Sequence, residues 1–234
     1  MAIYLERVGH RGAPHVFPAN TMRSFHHAIA LGCTMVECDI RQAADGRLVL
    51  AHDPHVRASD GRDYEIALHT SADLARLDLG AGEGVPLLTD LVNWAQGHCR
   101  IMADMKCEGN GVEEMVAEAL APLAPIDKIV PGAGASSRER FRACDPTLPL
   151  SFSLGGRHPH DMTAEQFRTY LAILTTDAVT WQYPLLTAER IAALHACNLR
   201  VFAWTVDDAG IMQRLLAYGV DGIISNRADL LVQL

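Results

Sequence analysis

Two acidic residues, two positions apart in a short apolar run, are the clearest sign of chemistry in this sequence. Glu37 and Asp39 lie in residues 34–40, a run typical of a strand buried on both faces. Their side chains point to the same side of that strand, so two like charges share one space. Burying such a pair is costly unless a proton, a basic partner or a cation neutralises it. The simplest neutraliser is a divalent metal that prefers oxygen ligands, Mg²⁺ or Ca²⁺, and the alternative is a strand end with two solvated acids.

A third carboxylate and two basic residues are predicted to join this pair. Asp104 and Lys106 end a predicted strand at 100–105 and face the same side as each other. Because this strand is expected to neighbour the one that carries the acidic pair, an inward Asp104 completes a cation site of three carboxylates. Lys106 and Arg11 add fixed positive charge, which favours an anionic substrate such as a phosphate. A plain ion pair between Lys106 and Asp104 is the alternative.

Two histidines, His10 and His52, end predicted strands beside the acidic residues. An imidazole gains and loses protons near neutral pH. Two imidazoles on opposite sides of a phosphate could therefore serve as general acid and general base for P–O cleavage. A lone histidine is more often structural, but two of them beside an acidic cluster favour catalysis.

The elements that must position these residues alternate between strand and helix along the chain. Strands are predicted at 3–9, 35–40, 100–105, 128–130, 148–154, 178–183, 200–206 and 222–225. Helices are predicted after a cap at Asn20 or Thr21, and at 91–96, 112–123, 138–144, 164–174, 188–197, 209–218 and from 228 on. About eight such units predict an α/β fold, a closed (β/α)8 barrel whose chemistry lies at the C-terminal ends of its strands. An open doubly wound sheet is the alternative, but no GxGxxG follows a strand.

A small insertion is predicted after the second barrel strand. Asp45 and Gly46 suit a hairpin turn into a short strand at 47–51. Residues 54–86 are irregular and rich in Asp and Gly, and we expect them to cover the mouth of the site. The whole chain, 1–234, is expected to be one catalytic barrel domain carrying this insertion.

Composition narrows the class of protein. A chain of 234 residues with 49% hydrophobic residues can form one large barrel. A net charge of −8 argues against nucleic-acid binding, and no apolar run is long enough for stable membrane insertion. The six cysteines form no CxxC pair and are expected to be reduced and mostly buried. The start of the chain lacks a signal-peptide pattern, which predicts a cytoplasmic protein.

Taken together, these motifs closely resemble the glycerophosphodiester phosphodiesterase family. The family's motifs are HRG, a PENT-like segment, Glu-x-Asp, and DG followed by HD. They are matched here by HRGAPHVFPANT, by Glu37-Cys38-Asp39 and by DGRLVLAHD. Asp104-Met105-Lys106 stands where the family usually has Glu-x-Lys, and residues 201–207 and 219–226 also look like the family. The resemblance spans nearly the whole chain and is weakest in the middle third.

The family is a metal-dependent (β/α)8 barrel that splits glycerophosphodiesters into sn-glycerol 3-phosphate and an alcohol. The resemblance implies metal ligands at Glu37, Asp39 and Asp104, an acid and a base at His10 and His52, and phosphate contacts from Arg11 and Lys106. It also implies that Trp204 lines the pocket, with a packed barrel aromatic as the alternative. Family mechanisms favour attack by the glycerol hydroxyl, giving a cyclic phosphate that water then opens. The segment 54–86 would match the family insertion on the glycerol side.

Two residues depart from the family pattern. Ala19 stands where the family often has Glu, so any contact made by that acid is missing. Asp104 is one methylene shorter than the usual Glu, which leaves the choice of metal open, and an Asp here also resembles the sphingomyelinase D-type barrels.

Two other functions stay open at this point: a lysophospholipase D-like enzyme acting on lysophospholipids, and a non-catalytic phosphate-binding barrel. The polar character of residues 60–84 favours small soluble diesters as substrates. His158 and His160 follow the fifth strand and either touch the alcohol half of a substrate or are solvated. Ser225 and Asn226 follow the eighth strand, where many barrels bind phosphate, but here the phosphate is assigned to other residues. The alcohol group and the oligomeric state, including a homo-oligomer, are not fixed by the sequence.

Overall fold

The computed structural model describes residues 5–154, 166, 169 and 176–234. Its strands are β1 Glu6–His10, β2 Met35–Gln42, β3 Leu48–Leu50, β4 His55–Arg57, β5 Asp63–Glu65, β6 Arg100–Met105, β7 Lys128–Ile129, β8 Ser151–Leu154, β9 Ala178–Gln182, β10 Arg200–Trp204 and β11 Gly222–Ser225. Its helices are α1 Met22–Leu31, α2 Ser71–Leu74, α3 Leu88–Ala95, α4 Val112–Leu120, α5 Ala135–Cys144, α6 Ala188–His195, α7 Ala209–Tyr218 and α8 Ala228–Leu231.

Eight of these strands form a parallel barrel. They follow the order β7-β6-β2-β1-β11-β10-β9-β8. A parallel bridge between Val130 and Leu150 joins the two ends of this order, because Ser151 N–H donates to the Val130 carbonyl at 2.9 Å. In the described part of the chain, helices connect neighbouring barrel strands and pack their apolar faces on the outside of the barrel. The predicted (β/α)8 fold is therefore confirmed.

Side chains that point into the barrel form layers, because alternate residues of a strand face the same side. The middle layer is an apolar plug that fills the interior: Val8, Met35, Met102, Ile129, Ala178, Phe202 and Ile224. At the N-terminal end below it, buried Glu6 forms an ion pair with Arg100 and accepts a hydrogen bond from Thr34. The next inward positions towards the C-terminal end are His10, Glu37, Asp104 and Trp204. The candidate functional side chains therefore lie directly above this apolar layer, at the C-terminal end of the barrel.

The first helix begins and ends where the sequence supplies caps. Thr21, one of the two predicted caps, accepts a hydrogen bond from Ser24 N–H at 3.3 Å. Gly32 ends the helix in the left-handed conformation, with φ of 117°. α3 begins at Leu88, three residues before the predicted start at 91. Asp90, in the first turn of this helix, caps it by accepting a hydrogen bond from Leu87 N–H at 3.2 Å.

The insertion after the second strand is also present. β2 and β3 form the predicted hairpin, and Gly46 adopts φ of +80° in its turn. β4 and β5 form a separate antiparallel pair. The segment rests on a small apolar cluster of its own, which includes Ile66, Leu74 and Val85 packed under β3. The limits assigned to the domain, 1–234, and to the insertion, 54–86, stay predictions.

Some predictions fall outside the described residues. His158, His160 and most of the predicted helix at 164–174 are among them, as are the first two residues of the predicted strand at 3–9. In the part of the chain that is described, no helix is both long and apolar enough to cross a membrane.

A buried glutamate joins the two helices that follow β6 and β7. Glu113 of α4 accepts hydrogen bonds from Ser137 of α5, from Arg140 Nη2 at 2.7 Å and from Gly109 N–H at 3.1 Å. Burial alone would raise the pKa of the Glu113 carboxyl, but the hydrogen bonds from Arg140 and Ser137 outweigh burial and lower it to about 2. The charged form of Glu113 therefore stabilises the contact between α4 and α5.

We expect Glu113→Gln to lower the free energy of unfolding by about 1–3 kcal/mol at pH 7, since charge-assisted hydrogen bonds are replaced by neutral ones. A folded-state pKa below the unfolded value means that this stabilisation is present above the unfolded pKa and is lost as pH falls towards about 2. Urea unfolding at several pH values measures the difference, which should shrink below about pH 4.5. Glu114→Gln, at the exposed neighbouring position, is the control. An equal loss in both variants would contradict the assigned role.

Candidate active site

The turn after β1 is built to aim a backbone amide and a guanidinium at the acidic residues. Arg11 and Gly12 both adopt positive φ, 55° and 88°. A Cβ at Gly12 would lie 2.5 Å from Ser24 Oγ, so only glycine fits there. Ser24 Oγ in turn accepts from Ala13 N–H at 2.7 Å and donates to the Arg11 carbonyl at 3.0 Å. As a result Arg11 N–H donates to Glu37 Oε2 at 2.9 Å.

The structure brings the three acidic residues together. β2 and β6 pair in parallel with Asp39 opposite Asp104, so the two strand ends deliver their carboxylates side by side. One carboxylate oxygen from each of Glu37, Asp39 and Asp104 lies within 4.8 Å of the others. Glu37 is 3% exposed and Asp39 is fully buried, which excludes solvated strand-end acids for these two.

Two cations lie against these carboxylates. Arg11 Nε is 2.9 Å from Asp39 Oδ2, and Lys106 Nζ is 3.2 Å from Asp39 Oδ1 and 2.7 Å from Asp104 Oδ2. The ion pair between Lys106 and Asp104 is therefore formed, but as part of a larger cluster. Three carboxylates face two cations, so with every carboxylate ionised the cluster would carry more negative than positive charge. Burial, together with Asp39 and Asp104, raises the pKa of Glu37 well above its usual value.

This donor set fits a hard divalent cation. Every candidate ligand is a carboxylate oxygen, which suits Mg²⁺ or Ca²⁺. Asp39 Oδ1 is buried and accepts no hydrogen bond from the described residues; its contact is with the Lys106 ammonium. A metal ion would supply the charge that the cluster lacks.

His10 is anchored by one ring nitrogen, and its other ring nitrogen faces the acidic residues. Its Nδ1 lies 2.7 Å from Asn226 Oδ1, and its Nε2 lies 3.8 Å from Glu37 Oε2. Burial, helped by the neighbouring Arg11 guanidinium, lowers the pKa of His10 to about 4. The ring is therefore neutral at pH 7.

His52 is held differently. It follows β3, and its carbonyl accepts a hydrogen bond from Arg41 Nε at 2.9 Å. Its Nδ1 lies 2.9 Å from the carboxylate of Asp53, and 41% of its side chain is exposed. The ring of His52 thus has a carboxylate as its partner, whereas the ring of His10 has an amide.

All eight residues singled out from the sequence lie close to one cavity of about 410 Å³. Its wall is formed by His10, Arg11, Glu37, His52, Met102, Asp104, Met105, Lys106, Pro131, Gly132, Ser153, Thr180, Trp204, Thr205 and Ile224. Asp39 lies behind this wall, joined to it by Arg11 and Lys106. Trp204 lines the cavity, and its indole N–H is buried with no hydrogen-bond partner among the described residues. Of the described lining residues, none comes from 54–86, so the expected cover over the mouth is not part of this wall.

Asn20 is a site residue that the sequence analysis considered only as a helix cap. It is buried with φ of 60°, and its Nδ2 donates to Asp39 Oδ2 at 2.8 Å. Asp39 N–H donates back to Asn20 Oδ1 at 3.1 Å. The neighbouring Ala19, where the family often has an acid, is exposed. The conformation after Pro18 and Ala19, rather than a periodic pattern, brings Asn20 to Asp39.

Gly132 is a second residue that the sequence analysis did not single out. Its φ is +76°, and a Cβ there would lie 2.1 Å from Asp104 Oδ1 and 2.9 Å from the Met105 carbonyl. The backbone after β7 therefore packs closely against the carboxylate of Asp104 and restricts its position. No pattern in the sequence around this glycine signals the contact.

We expect Gly132→Ala to weaken binding of Mg²⁺ or Ca²⁺ by about tenfold or more, since the new methyl group must displace Asp104 from the other two carboxylates. Isothermal titration calorimetry with each cation measures the change. Gly97→Ala is the matched control, because Gly97 has the same φ of +76° and no described atom within 4 Å of its added Cβ. Equal affinities in the two variants would show that the approach of Gly132 does not matter.

The chain is similar to known proteins over most of its length. Residues 10–230 match the model of the glycerophosphoryl diester phosphodiesterase family. The Mycobacterium tuberculosis protein named "Probable glycerophosphodiester phosphodiesterase 2" is 30% identical over 96% of this chain and 88% of its own length. The glycerophosphodiester phosphodiesterase of Bacillus subtilis is 26% identical over 95% of this chain and 84% of its own.

Solved structures share the fold. A phosphodiesterase of Oleispira antarctica, in complex with the product sn-glycerol-3-phosphate, matches 98% of this chain and 96% of its own with a TM-score of 0.84 and 22% identity. The glycerophosphodiester phosphodiesterase of Agrobacterium tumefaciens matches 98% of this chain and 100% of its own with a TM-score of 0.79 and 20% identity. Because the family model covers the chain from His10 to beyond the last barrel strand, the protein belongs to the glycerophosphoryl diester phosphodiesterase family of enzymes.

Proposed function

We propose that this enzyme hydrolyses glycerophosphodiesters to sn-glycerol 3-phosphate and an alcohol, with a divalent metal ion. The observation that carries the proposal is a single cavity lined or backed by three clustered carboxylates, two cations and two histidines anchored through Nδ1. An excess of buried negative charge calls for a metal, and the two cations suit an anionic substrate. The product bound in the Oleispira antarctica relative is the expected product here.

Glu37, Asp39 and Asp104 would hold the metal ion, which when bound polarises the phosphoryl group and offsets its charge. Arg11 and Lys106 both line the cavity while paired with these carboxylates. Each has more N–H groups than its carboxylate contacts use, so each can also donate to phosphate oxygens. We assign them to binding and orienting the phosphate.

The two histidines are assigned by their partners. His10, neutral and anchored through Nδ1, offers a bare Nε2 as the general base that takes the proton from the attacking hydroxyl group. His52, anchored to the carboxylate of Asp53, is the general acid. As the new P–O bond forms and the bond to the alcohol breaks, the leaving oxygen takes a proton from His52. This first step, in which the glycerol hydroxyl group attacks, gives a cyclic phosphate. In the second step water attacks the cyclic phosphate: His52 takes a proton from the water, and His10 returns its proton to the glycerol oxygen that leaves.

A cavity of about 410 Å³ with barrel side chains on all described sides suits a small diester. Trp204 offers a flat apolar ring to the glycerol or alcohol part. A location in the cytoplasm stays a prediction of the sequence.

The first test is turnover. We expect the purified protein to release sn-glycerol 3-phosphate from glycerophosphocholine or a related diester, measured by a coupled assay across Mg²⁺, Ca²⁺ and Mn²⁺. EDTA should abolish the activity, because the carboxylate cluster then lacks its counter-charge, and added metal should restore it. Lysophosphatidylcholine is the control substrate. Release of choline from lysophosphatidylcholine but not from glycerophosphocholine would favour a lysophospholipase D. Tight binding of sn-glycerol 3-phosphate without any turnover would favour a binding protein.

The second test separates acid from base. We expect His10→Ala and His52→Ala each to lower kcat by about 10²–10⁴-fold on glycerophosphocholine. A p-nitrophenyl ester of glycerol phosphate needs little protonation of its leaving group, so it should restore much of the rate of His52→Ala but not of His10→Ala. His98→Ala, whose ring stacks on Trp94 at the surface, is the control. Restoration in the His10 variant instead would reverse the two assignments.

A further inference from the structure

Two polar residues lie directly behind His10: the one that anchors its Nδ1, and a second that the proposed chemistry does not use. Asn226 follows β11, and Asp207 lies in the loop after β10. β1 pairs with β11 in parallel, with Gly9 opposite Ser225, so the residue after each of these pairing partners is also side by side. The barrel therefore brings His10, Asn226 and Asp207 into a row of hydrogen bonds at its C-terminal end.

The orientation of the Asn226 amide is set by Asp207. A carboxylate can only accept hydrogen bonds, so the group that lies 2.8 Å from Asp207 Oδ2 must be the Asn226 NH₂. The Asn226 carbonyl oxygen then faces His10 Nδ1 at 2.7 Å, and that oxygen can only accept. His10 must therefore carry its proton on Nδ1, which leaves the lone pair of Nε2 on the cavity side.

We propose that Asp207 and Asn226 are positioning residues that hold His10 in the Nδ1–H tautomer with Nε2 directed at the reacting hydroxyl group. The inference rests on the proposed role of His10 as the general base. The Asp207 carboxylate fixes the amide, the amide fixes the ring, and neither residue is part of the described cavity wall.

Asp207 also holds the backbone. Its Oδ1 accepts from Ser225 Oγ at 3.0 Å and from Asn226 N–H at 2.8 Å, which ties the loop after β10 to the end of β11. A purely structural role would use only these two contacts. The separate contact through Asp207 Oδ2 bears on the amide alone, and it is the one that a test must isolate.

Asn226→Leu removes the acceptor for His10 while keeping a side chain of similar size. We expect kcat on glycerophosphocholine to fall by about 10²-fold with little change in KM, because the base is present but no longer held in one tautomer. The matched control is Asp208→Ala, next to Asp207, which removes an N-cap contact to Ile211 N–H at 2.9 Å. That control should keep its kcat, although its melting temperature falls.

The tautomer itself is read by ¹⁵N NMR of the imidazole nitrogens of His10, which does not depend on turnover. The wild-type ring should show the proton on Nδ1, and Asn226→Leu should show both tautomers. The double variant Asp207→Asn/Asn226→Asp exchanges the two groups, so that the introduced carboxylate accepts from the ring and the introduced amide donates to that carboxylate. It should restore the Nδ1–H tautomer, which is the readout for this variant.

Four results would overturn the proposal: a wild-type ring protonated on Nε2, an unchanged tautomer in Asn226→Leu, a kcat for that variant equal to that of Asp208→Ala, or an exchanged pair that does not restore the Nδ1–H tautomer. A wild-type enzyme that hydrolyses no glycerophosphodiester would count against the proposed function, and the NMR measurement would still decide whether Asp207 and Asn226 set the tautomer.

Discussion

The structure depends on one buried electrostatic imbalance: Asp39 lies fully buried between two cations and two other acids. Its oxygens face Arg11, Lys106 and the amide of Asn20 at 2.8–3.2 Å. Isolated in a protein interior, a carboxylate would cost several kcal/mol. Each of these partners reduces that cost, and each comes from a different part of the barrel. The negative charge that the three acids carry when ionised exceeds that of the two cations, which is the basis on which we propose a metal ion here.

The parallel barrel is what makes this arrangement attainable. Parallel neighbours end at the same edge, so acids at the ends of β2 and β6 meet without any turn between them. An apolar layer below them separates the site from the polar N-terminal end of the barrel, where Glu6 and Arg100 pair. Because the barrel interior is close-packed at that layer, the acidic side chains cannot move down into it and so remain close to one another.

The two histidines have different surroundings, although both rings are held in the same way. Both anchor the ring through Nδ1 and leave Nε2 for the cavity. Burial and the neighbouring Arg11 keep the ring of His10 neutral while an amide holds it, whereas His52 is half-exposed against the carboxylate of Asp53. In the mechanism proposed above, these two surroundings divide the base role from the acid role.

The sequence by itself determined the elements and the face on which each candidate group lies. Strand periodicity placed Glu37 with Asp39 and Asp104 with Lys106, and the strand–helix alternation predicted the barrel, because both depend on spacing along one segment. Asn20 and Gly132 were not predicted as site residues, because their contacts with Asp39 and Asp104 join segments that no local pattern relates. Nor could the sequence choose the partner of each imidazole. Whether His10 faces an amide or a carboxylate is decided only when β1, β10 and β11 pair side by side, since hydrogen bonds between distant segments exist only in the folded chain.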